Sequence, residues 1–360
     1  MMQRFNLSSI DWFLMIPVAI LLIFSLVTLF SIDQQIFRSQ LFFAGISFIV
    51  FLLVTQLNPS ILRYYSTPIY IASLIILIVV LVFGIESRGS VRWFEFLGLR
   101  VQFSEILKPF LAISLASFLA SLRDYSFKSF MSLLIFLSPL VILIFLQPDL
   151  GNALIYFFVT FGTLLIYGFP FRWFIAGFLI WFLALPFFWL VLHDYQRQRI
   201  LTFINPGRDP LGTSYNAIQS IIAVGSGMIL GKGLGLGTQA ELRFLPERHT
   251  DFIFATISEE LGFIGAGVVI VCFAFIFYRL YLIIKNSEDK FSKIFSIIVF
   301  LIIFVHFFIN IGMNIGIVPV VGVTLSFVSY GGSSLLSNFI LLGLLFAVNK
   351  KSRKEVLEIS

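Results

Sequence analysis

Charge is what this sequence has least of. Only 12% of its 360 residues are charged, while 59% are hydrophobic, which excludes a solvated globular domain. A single cysteine, Cys272, sits inside an apolar run, so neither a disulfide framework nor a cysteine metal cage is available. The three histidines, His193, His249 and His306, are too scattered to argue for zinc. No small-residue cleavage site follows the first apolar run, 13–30, which reads as a retained helix rather than a signal peptide. The glycine string at 231–237 lacks the strand, the spacing and the Lys-Ser/Thr ending of a phosphate-binding loop, and nucleotide binding is rejected with it. The net charge of +6 is spread between loops instead of gathered in one patch, which argues against nucleic acid.

What remains is a chain of mean hydropathy +1.03 in which apolar runs of membrane-spanning length recur from end to end. The expected fold is an all-α polytopic membrane protein forming one integral-membrane unit over 1–360. About ten spans are expected, at 12–30, 41–57, 68–85, 105–122, 131–147, 152–168, 173–192, 251–284, 294–316 and 331–348. With the N-terminus cytoplasmic, every inner segment carries Lys or Arg, and the tail 349–360 carries Lys350, Lys351, Arg353 and Lys354. The outer links 148–151 and 317–330 carry none, so both termini are placed inside. Two outer loops break that pattern: 86–104 holds Arg88, Arg92 and Arg100, and the long loop before the eighth helix, 193–250, holds Arg197, Arg199, Arg208, Lys232, Arg243 and Arg248. Basic residues beside the outer headgroups suit a phosphate or pyrophosphate. Salt bridges to Glu86, Glu95, Asp194, Asp209, Glu241 and Glu247, or contacts with anionic lipid, would explain them equally well. Within the long loop the apolar run 218–230 is too short to span and reads as an interfacial or re-entrant helix.

Ionisable residues otherwise concentrate in 245–267, where Glu247, Arg248, His249, Asp251, Glu259 and Glu260 lead straight into an apolar helix. A carboxylate at the mouth of a membrane helix is costly and marks a functional candidate, which points to Asp251. The plainer alternative is that Thr250 or Asp251 caps the helix. On a regular helix Asp251, Glu259 and Glu260 cannot share one face, so at least one glutamate is expected to bond a neighbouring helix. Glu105 and Lys108, three apart, can neutralise each other where lipid begins. Asp149 sits in a tight turn, Gln147-Pro148-Asp149-Leu150-Gly151, and the small residues of Tyr330-Gly331-Gly332-Ser333-Ser334 suggest close helix packing.

Together these motifs resemble the SEDS family (shape, elongation, division and sporulation proteins) over essentially the whole chain, and within it the RodA type. The resemblance rests on Gly89-Ser-Val-Arg92-Trp93, Gln102-Phe-Ser104-Glu105-Ile-Leu-Lys108, Gln147-Pro148-Asp149-Leu150-Gly151, Pro246-Glu-Arg-His-Thr-Asp251-Phe-Ile-Phe, Glu259-Glu260-Leu-Gly and Ser329-Tyr330-Gly-Gly-Ser-Ser. Arg248 favours the elongation type over the FtsW division type, which usually has Ala there. Phe103 and Thr324-Leu325-Ser326 depart from the family, which usually has Pro in Gln-Pro-Ser-Glu and in Pro-Leu-Pro.

The resemblance implies a peptidoglycan glycosyltransferase in the bacterial cytoplasmic membrane, polymerising lipid II at its outer face beside a class B penicillin-binding protein transpeptidase. Asp251 corresponds to the essential aspartate, and Arg38, Arg92, Arg100, Glu105, Lys108 and Asp149 to residues lining the family's cavity. Transfer of a sugar from pyrophosphate needs a base and positive charge at the leaving group. Asp251 is the base; Arg92, Arg100, Arg197, Arg199 and Lys108 supply the charge, with room for a divalent cation, Mg or Mn, and no organic cofactor. Because an α-linked donor gives a β-linked glycan, one inverting displacement suffices. The competing functions are a transporter that flips lipid II and a non-catalytic scaffold. No inverted repeat is evident for the first, and the second leaves Asp251 without a purpose.

Overall fold

A computed structural model describes residues 10–350 except 88–89, 97–98, 148, 193–196, 199–200, 202, 204, 206, 208–213 and 242–243. The apolar runs form helices α1 (Trp12–Ile32), α2 (Gln34–Val54), α4 (Ser66–Phe83), α7 (Phe127–Leu146), α8 (Leu150–Tyr167), α9 (Phe171–Val191), α12 (Ile253–Asn286), α13 (Lys290–Asn314) and α14 (Gly332–Val348). The fourth span is divided at Leu107 into α5 (Phe103–Ile106) and α6 (Lys108–Ser121). Short helices α3 (Pro59–Tyr64), α10 (Tyr215–Ser226) and α11 (Thr238–Glu241) lie between them. Among the described residues seven helices are long and apolar enough to cross a membrane, and three shorter apolar ones match the remaining expected spans. This is a multi-pass membrane protein.

Four of the 18 acidic residues cap helix ends, where backbone N–H groups have no partner in lipid. Asp11 accepts from Leu14 N, Asp33 from Gln35 N and Ile36 N, Asp149 from Asn152 N, and Asp289 from Phe291 N and Ser292 N. Among the described residues one stretch departs from an all-helical chain. Loop 86–104 folds with its neighbour Ile85 into an antiparallel sheet of β1 (Ile85–Ser87), β2 (Ser90–Phe96) and β3 (Leu99–Gln102). This sheet is not among the sequence expectations, although the Val, Trp and Phe content of β2 fits a strand.

α13 runs through the middle of the bundle against α6, α8, α12 and α14, and α2 lies along α14. Gly332 and Gly343 make that second approach possible, because a Cβ on either would meet the Phe43 ring at 2.6 Å or Phe51 O at 3.0 Å. Ser287 Oγ donates to Asn349 Oδ1 (2.7 Å) and Ser292 Oγ to Val348 O (2.9 Å), while Arg279 pairs with Asp11 (2.5 Å). Both described chain ends therefore lie at one end of the bundle.

Two polar ties bracket the apolar length of the molecule. α1 and α12 run antiparallel, joined by Asp11–Arg279 at one end and by Ser31 Oγ donating to Glu260 (2.8 Å) at the other. Twenty residues of α1 and nineteen of α12 separate the ties, which is about 30 Å of helix and matches the hydrocarbon thickness of a bilayer. The first turns of α12 and the loop before it thus stand at or beyond the membrane boundary opposite the chain ends. This far end carries the candidate site.

Candidate active site

Asp251 closes a tight loop whose turn is made by Glu247. Glu247 adopts φ 53, unusual for a residue other than glycine, and its carbonyl accepts from Thr250 N (3.1 Å) and Phe252 N (3.2 Å). The capping position of α12 falls on Phe252, which supplies no side-chain cap. The first turn is held by α13 instead. Asn314 Oδ1 accepts from Ala255 N (3.0 Å), and Asn310 Nδ2 and Asn314 Nδ2 both donate to the Asp251 carbonyl (3.0 Å each). Asn310 and Asn314 are four apart and share one face of α13. Two buried amides in an apolar helix were a signal available in the sequence, and it was overlooked. The Asp251 side chain is partly exposed. It lies against Gly322, which at φ +74 presents its bare Cα there: a Cβ would sit 3.3 Å from Asp251 Oδ2. Behind it Gly151 approaches so closely that a Cβ would meet Val321 O at 3.0 Å. The motifs around Asp149 and Asp251 therefore meet across segment 321–323.

The Ser329-Tyr330-Gly331-Gly332 motif forms the next wall. Tyr330 N donates to His249 O (2.8 Å) and Ser329 Oγ to Thr250 O (2.6 Å). From α2, Gln40 Nε2 donates to Ser329 O (3.2 Å) and Ser39 Oγ bonds Tyr330 Oη (3.2 Å). Small residues here thus serve both packing and the seating of the Asp251 loop.

A buried polar cluster lies deeper. Lys108 Nζ donates to Glu105 Oε1 (2.7 Å) and meets His306 Nε2 (2.9 Å), and all three residues are buried. Their pairing satisfies the expected neutralisation of Glu105 by Lys108 and adds His306 to it. Beside them Asp149 Oδ2 accepts from Asn152 Nδ2 (2.8 Å), Gln102 Nε2 (3.1 Å) and Ser104 Oγ (3.3 Å). Asp149 is thus a turn former, a helix cap and the hub of a network at once. Phe103, in the place of the family's usual Pro, opens α5 and packs edge-on against Phe94 at 6.0 Å.

The expected arginines are placed unevenly. Arg38 is exposed near the start of α2, next to Ser39 and Gln40 of the motif wall. Arg100 is 70% exposed and faces Glu95 across the β2–β3 pair at 3.7 Å, one of the salt bridges weighed from sequence. Arg197 donates Nε to Trp189 O and Nη2 to Leu190 O, both at 2.8 Å, and so caps the end of α9. The backbone of Arg92 is in β2; its side chain and Arg199 lie outside the described residues. Among the described residues no three His, Cys, Asp or Glu side chains gather to hold a metal.

The expectation that at least one of Glu259 and Glu260 bonds a neighbouring helix holds, since Ser31 of α1 donates to Glu260. Just past the pair α12 breaks at Gly262 (φ 66, ψ −163), and the glycine-rich loop docks into the break. Lys232 N and Gly233 N donate to Glu259 O and Glu260 O (2.9 Å each), and Phe263 N and Ile264 N donate to Met228 O (2.8 Å) and Ile229 O (3.2 Å). Nothing larger than hydrogen fits where the chains cross, since a Cβ on Gly262 would lie 2.3 Å from Gly231 N. Both carboxylates are consumed by this joint. Glu259 Oε1 takes Lys232 Nζ (2.8 Å), Gln239 N (3.0 Å) and Thr238 Oγ1 (3.2 Å); Glu260 takes Ser31 Oγ and, at 3.2 Å, Gly235 N. Three of the loop's N–H groups are thereby spent on Glu259 and Glu260.

This architecture and these motifs have known counterparts. Residues 6–354 match the family described as cell cycle protein, comprising FtsW, RodA and SpoVE. Peptidoglycan glycosyltransferase MrdB of Escherichia coli K12 is 34% identical over 323 residues, covering 88% of this chain and 87% of that protein. A probable peptidoglycan glycosyltransferase FtsW of Wigglesworthia glossinidia brevipalpis is 33% identical, with 84% and 80% covered. Among solved structures, a chain from a peptidoglycan synthase complex studied for its coordination of polymerization and crosslinking superimposes with TM-score 0.84 at 30% identity, covering 96% of this chain and 99% of that one. The rod shape determining protein RodA of Thermus thermophilus gives 0.73 at 26% identity, with 96% and 98% covered.

Proposed function

Because the chain belongs to the cell cycle protein family of FtsW, RodA and SpoVE, we propose that it is a peptidoglycan glycosyltransferase that polymerises lipid II with Asp251 as general base. The observation that carries the assignment is the seat of Asp251. Its main chain is pinned by Asn310 and Asn314, its side chain is partly exposed against Gly322, and it stands at the membrane boundary opposite the chain ends. A fixed carboxylate at that level can take the proton of an acceptor hydroxyl while the donor's polyprenyl chain stays in lipid. One inverting displacement breaks the bond from the sugar to pyrophosphate and forms the glycosidic bond; the proton goes to Asp251 and the electron pair leaves with pyrophosphate. Arg38, Arg92, Arg100 and Arg199 supply positive charge near the leaving group. Lys108 adds its charge from within the wall, and Glu105 and Asp149 hold that wall in shape. Arg197 contributes its charge from the end of α9. A Mg or Mn ion would be held mainly by the pyrophosphate and one or two carboxylates, as is usual for Mg, and no step here runs through it.

Arg63, Arg123, Lys128, Arg172, Lys285, Lys290 and Lys293 lie at or near the end where the described chain ends lie. This supports a cytoplasmic location for that end and an outer location for Asp251 in the bacterial cytoplasmic membrane. Arg248 and the likeness to RodA favour wall elongation over division. A class B penicillin-binding protein transpeptidase is the proposed partner, since a polymerase of this class needs a crosslinking enzyme beside it and the structural neighbour at TM-score 0.84 works within such an assembly.

The test is polymerisation of lipid II by the purified protein, with and without a cognate penicillin-binding protein disabled in its own chemistry. Glycan ladders from the wild type and none from Asp251→Asn are expected. Normal ladders from Asp251→Asn would remove the base. Absence of product, with labelled lipid II crossing reconstituted vesicles, would replace the polymerase with a flippase.

A further inference from the structure

His306 has no part in the chemistry described so far, yet it is buried at the centre of the bundle with both ring nitrogens engaged. Nδ1 lies 2.8 Å from the carbonyl of Thr324, which can only accept, so Nδ1 carries the proton. Nε2 lies 2.9 Å from Lys108 Nζ, whose ammonium has donors and no acceptor. The arrangement is satisfied by a neutral ring that accepts from Lys108 on one side and donates to the main chain on the other. Lys108 is held from the opposite side by Glu105 Oε1 at 2.7 Å. Two of its three protons are directed in this way.

The placement of this ring links Lys108 to the base. His306, Asn310 and Asn314 recur every fourth residue and form one polar stripe along α13, with about 6 Å from one to the next. Thr324 O rests on His306 and Val323 O accepts from Asn310 Nδ2 at 2.7 Å, while Asn310 and Asn314 hold the Asp251 carbonyl. One helix face therefore carries the Lys108 ammonium, segment 322–324 and the base in fixed register. We propose that His306 is a positioning residue for glycosyl transfer: it aims the Lys108 ammonium from a fixed point on Thr324, about one helical turn from the rung that seats Asp251. The role rests on the reading of Asp251 and the leaving pyrophosphate given above.

Three substitutions separate this role from packing. His306→Phe keeps the ring volume and loses both bonds. His306→Gln reaches Lys108 with its carbonyl oxygen, as Nε2 does, and His306→Asn reaches only toward Thr324, as Nδ1 does. A lost hydrogen bond to a charged group corresponds to roughly 10- to 100-fold. In the lipid II assay, His306→Phe is expected to lower kcat by that factor with KM within about twofold, and His306→Gln to recover most of the loss while His306→Asn does not. A kcat for His306→Phe within about threefold of wild type overturns the proposal, as does equal activity of the Gln and Asn variants. Should His306→Phe fail to assemble in the membrane, the contrast of Gln with Asn decides alone. The underlying reading is judged separately, by wild type against Asp251→Asn in the same assay. If those two behave as expected and the His306 variants do not, only the positioning role falls.

Discussion

Asp251 and the pair Glu259–Glu260 lie within ten residues of one another at the start of one helix, and the structure treats them in opposite ways. Glu259 and Glu260 are buried, and their carboxylate oxygens are taken up by Lys232, Thr238, Gln239, Ser31 and Gly235. Asp251 is held by its carbonyl, and its side chain lies partly exposed on the edge of Gly322. The difference teaches what carboxylates are for at a membrane boundary. A carboxylate whose acceptor sites are filled by donors is structural, because removing it leaves those donors unpaired. A carboxylate anchored through its main chain keeps a defined place whatever its oxygens bond to, which is what the proposed base requires.

The comparison breaks most sharply with isosteric changes. Asp251→Asn is expected to cost about 10²- to 10⁴-fold in polymerisation with little change in thermal midpoint; a large fall in midpoint with activity retained would reverse the two roles. Glu259→Ala is expected to do the opposite, destabilising by roughly 1–3 kcal/mol as Lys232, Thr238 and Gln239 lose their common acceptor, with the partial exposure of Lys232 moderating the loss. Thermal unfolding in detergent or nanodiscs measures it. Asn310→Ala sharpens the comparison, because it deletes two donors, to Asp251 O and Val323 O. A loss of about 1–2 kcal/mol is expected, together with lower kcat because the base is no longer fixed; unchanged kcat would show that the main-chain anchor does not matter. The smallest effect on stability is expected from Arg100→Gln, whose exposed pair with Glu95 is worth no more than about 0.5 kcal/mol. Its proposed part at the leaving group is read separately, as an expected rise in KM for lipid II; an unchanged KM would leave Arg100 to the sheet alone.

Much of the fold was legible in the chain. The expected spans agree with helices α1, α2, α4, α5–α6, α7, α8, α9, α12, α13 and α14, since hydropathy over a bilayer's length is a local property. The Glu105–Lys108 pair was legible for the same reason, three residues apart on one turn. The loop sheet was less legible, because its strands are short and interrupted by charged residues and glycine. The partners of Glu260 and Asp251 could not be read at all: Ser31 is 229 residues from the first, and Asn310 is 59 residues from the second.

By itself the sequence determined a polytopic bundle and an acidic motif at the mouth of one of its helices. Both follow from the cost of placing charge and unpaired backbone in hydrocarbon. Only the tertiary structure decided how the three carboxylates are held. It did so by breaking α12 at Gly262, where the close crossing of Gly231 leaves no space for a Cβ, and by laying the His306–Asn310–Asn314 face of α13 beneath Asp251. Those outcomes depend on which helices pack together, and no local pattern of residues carries that information.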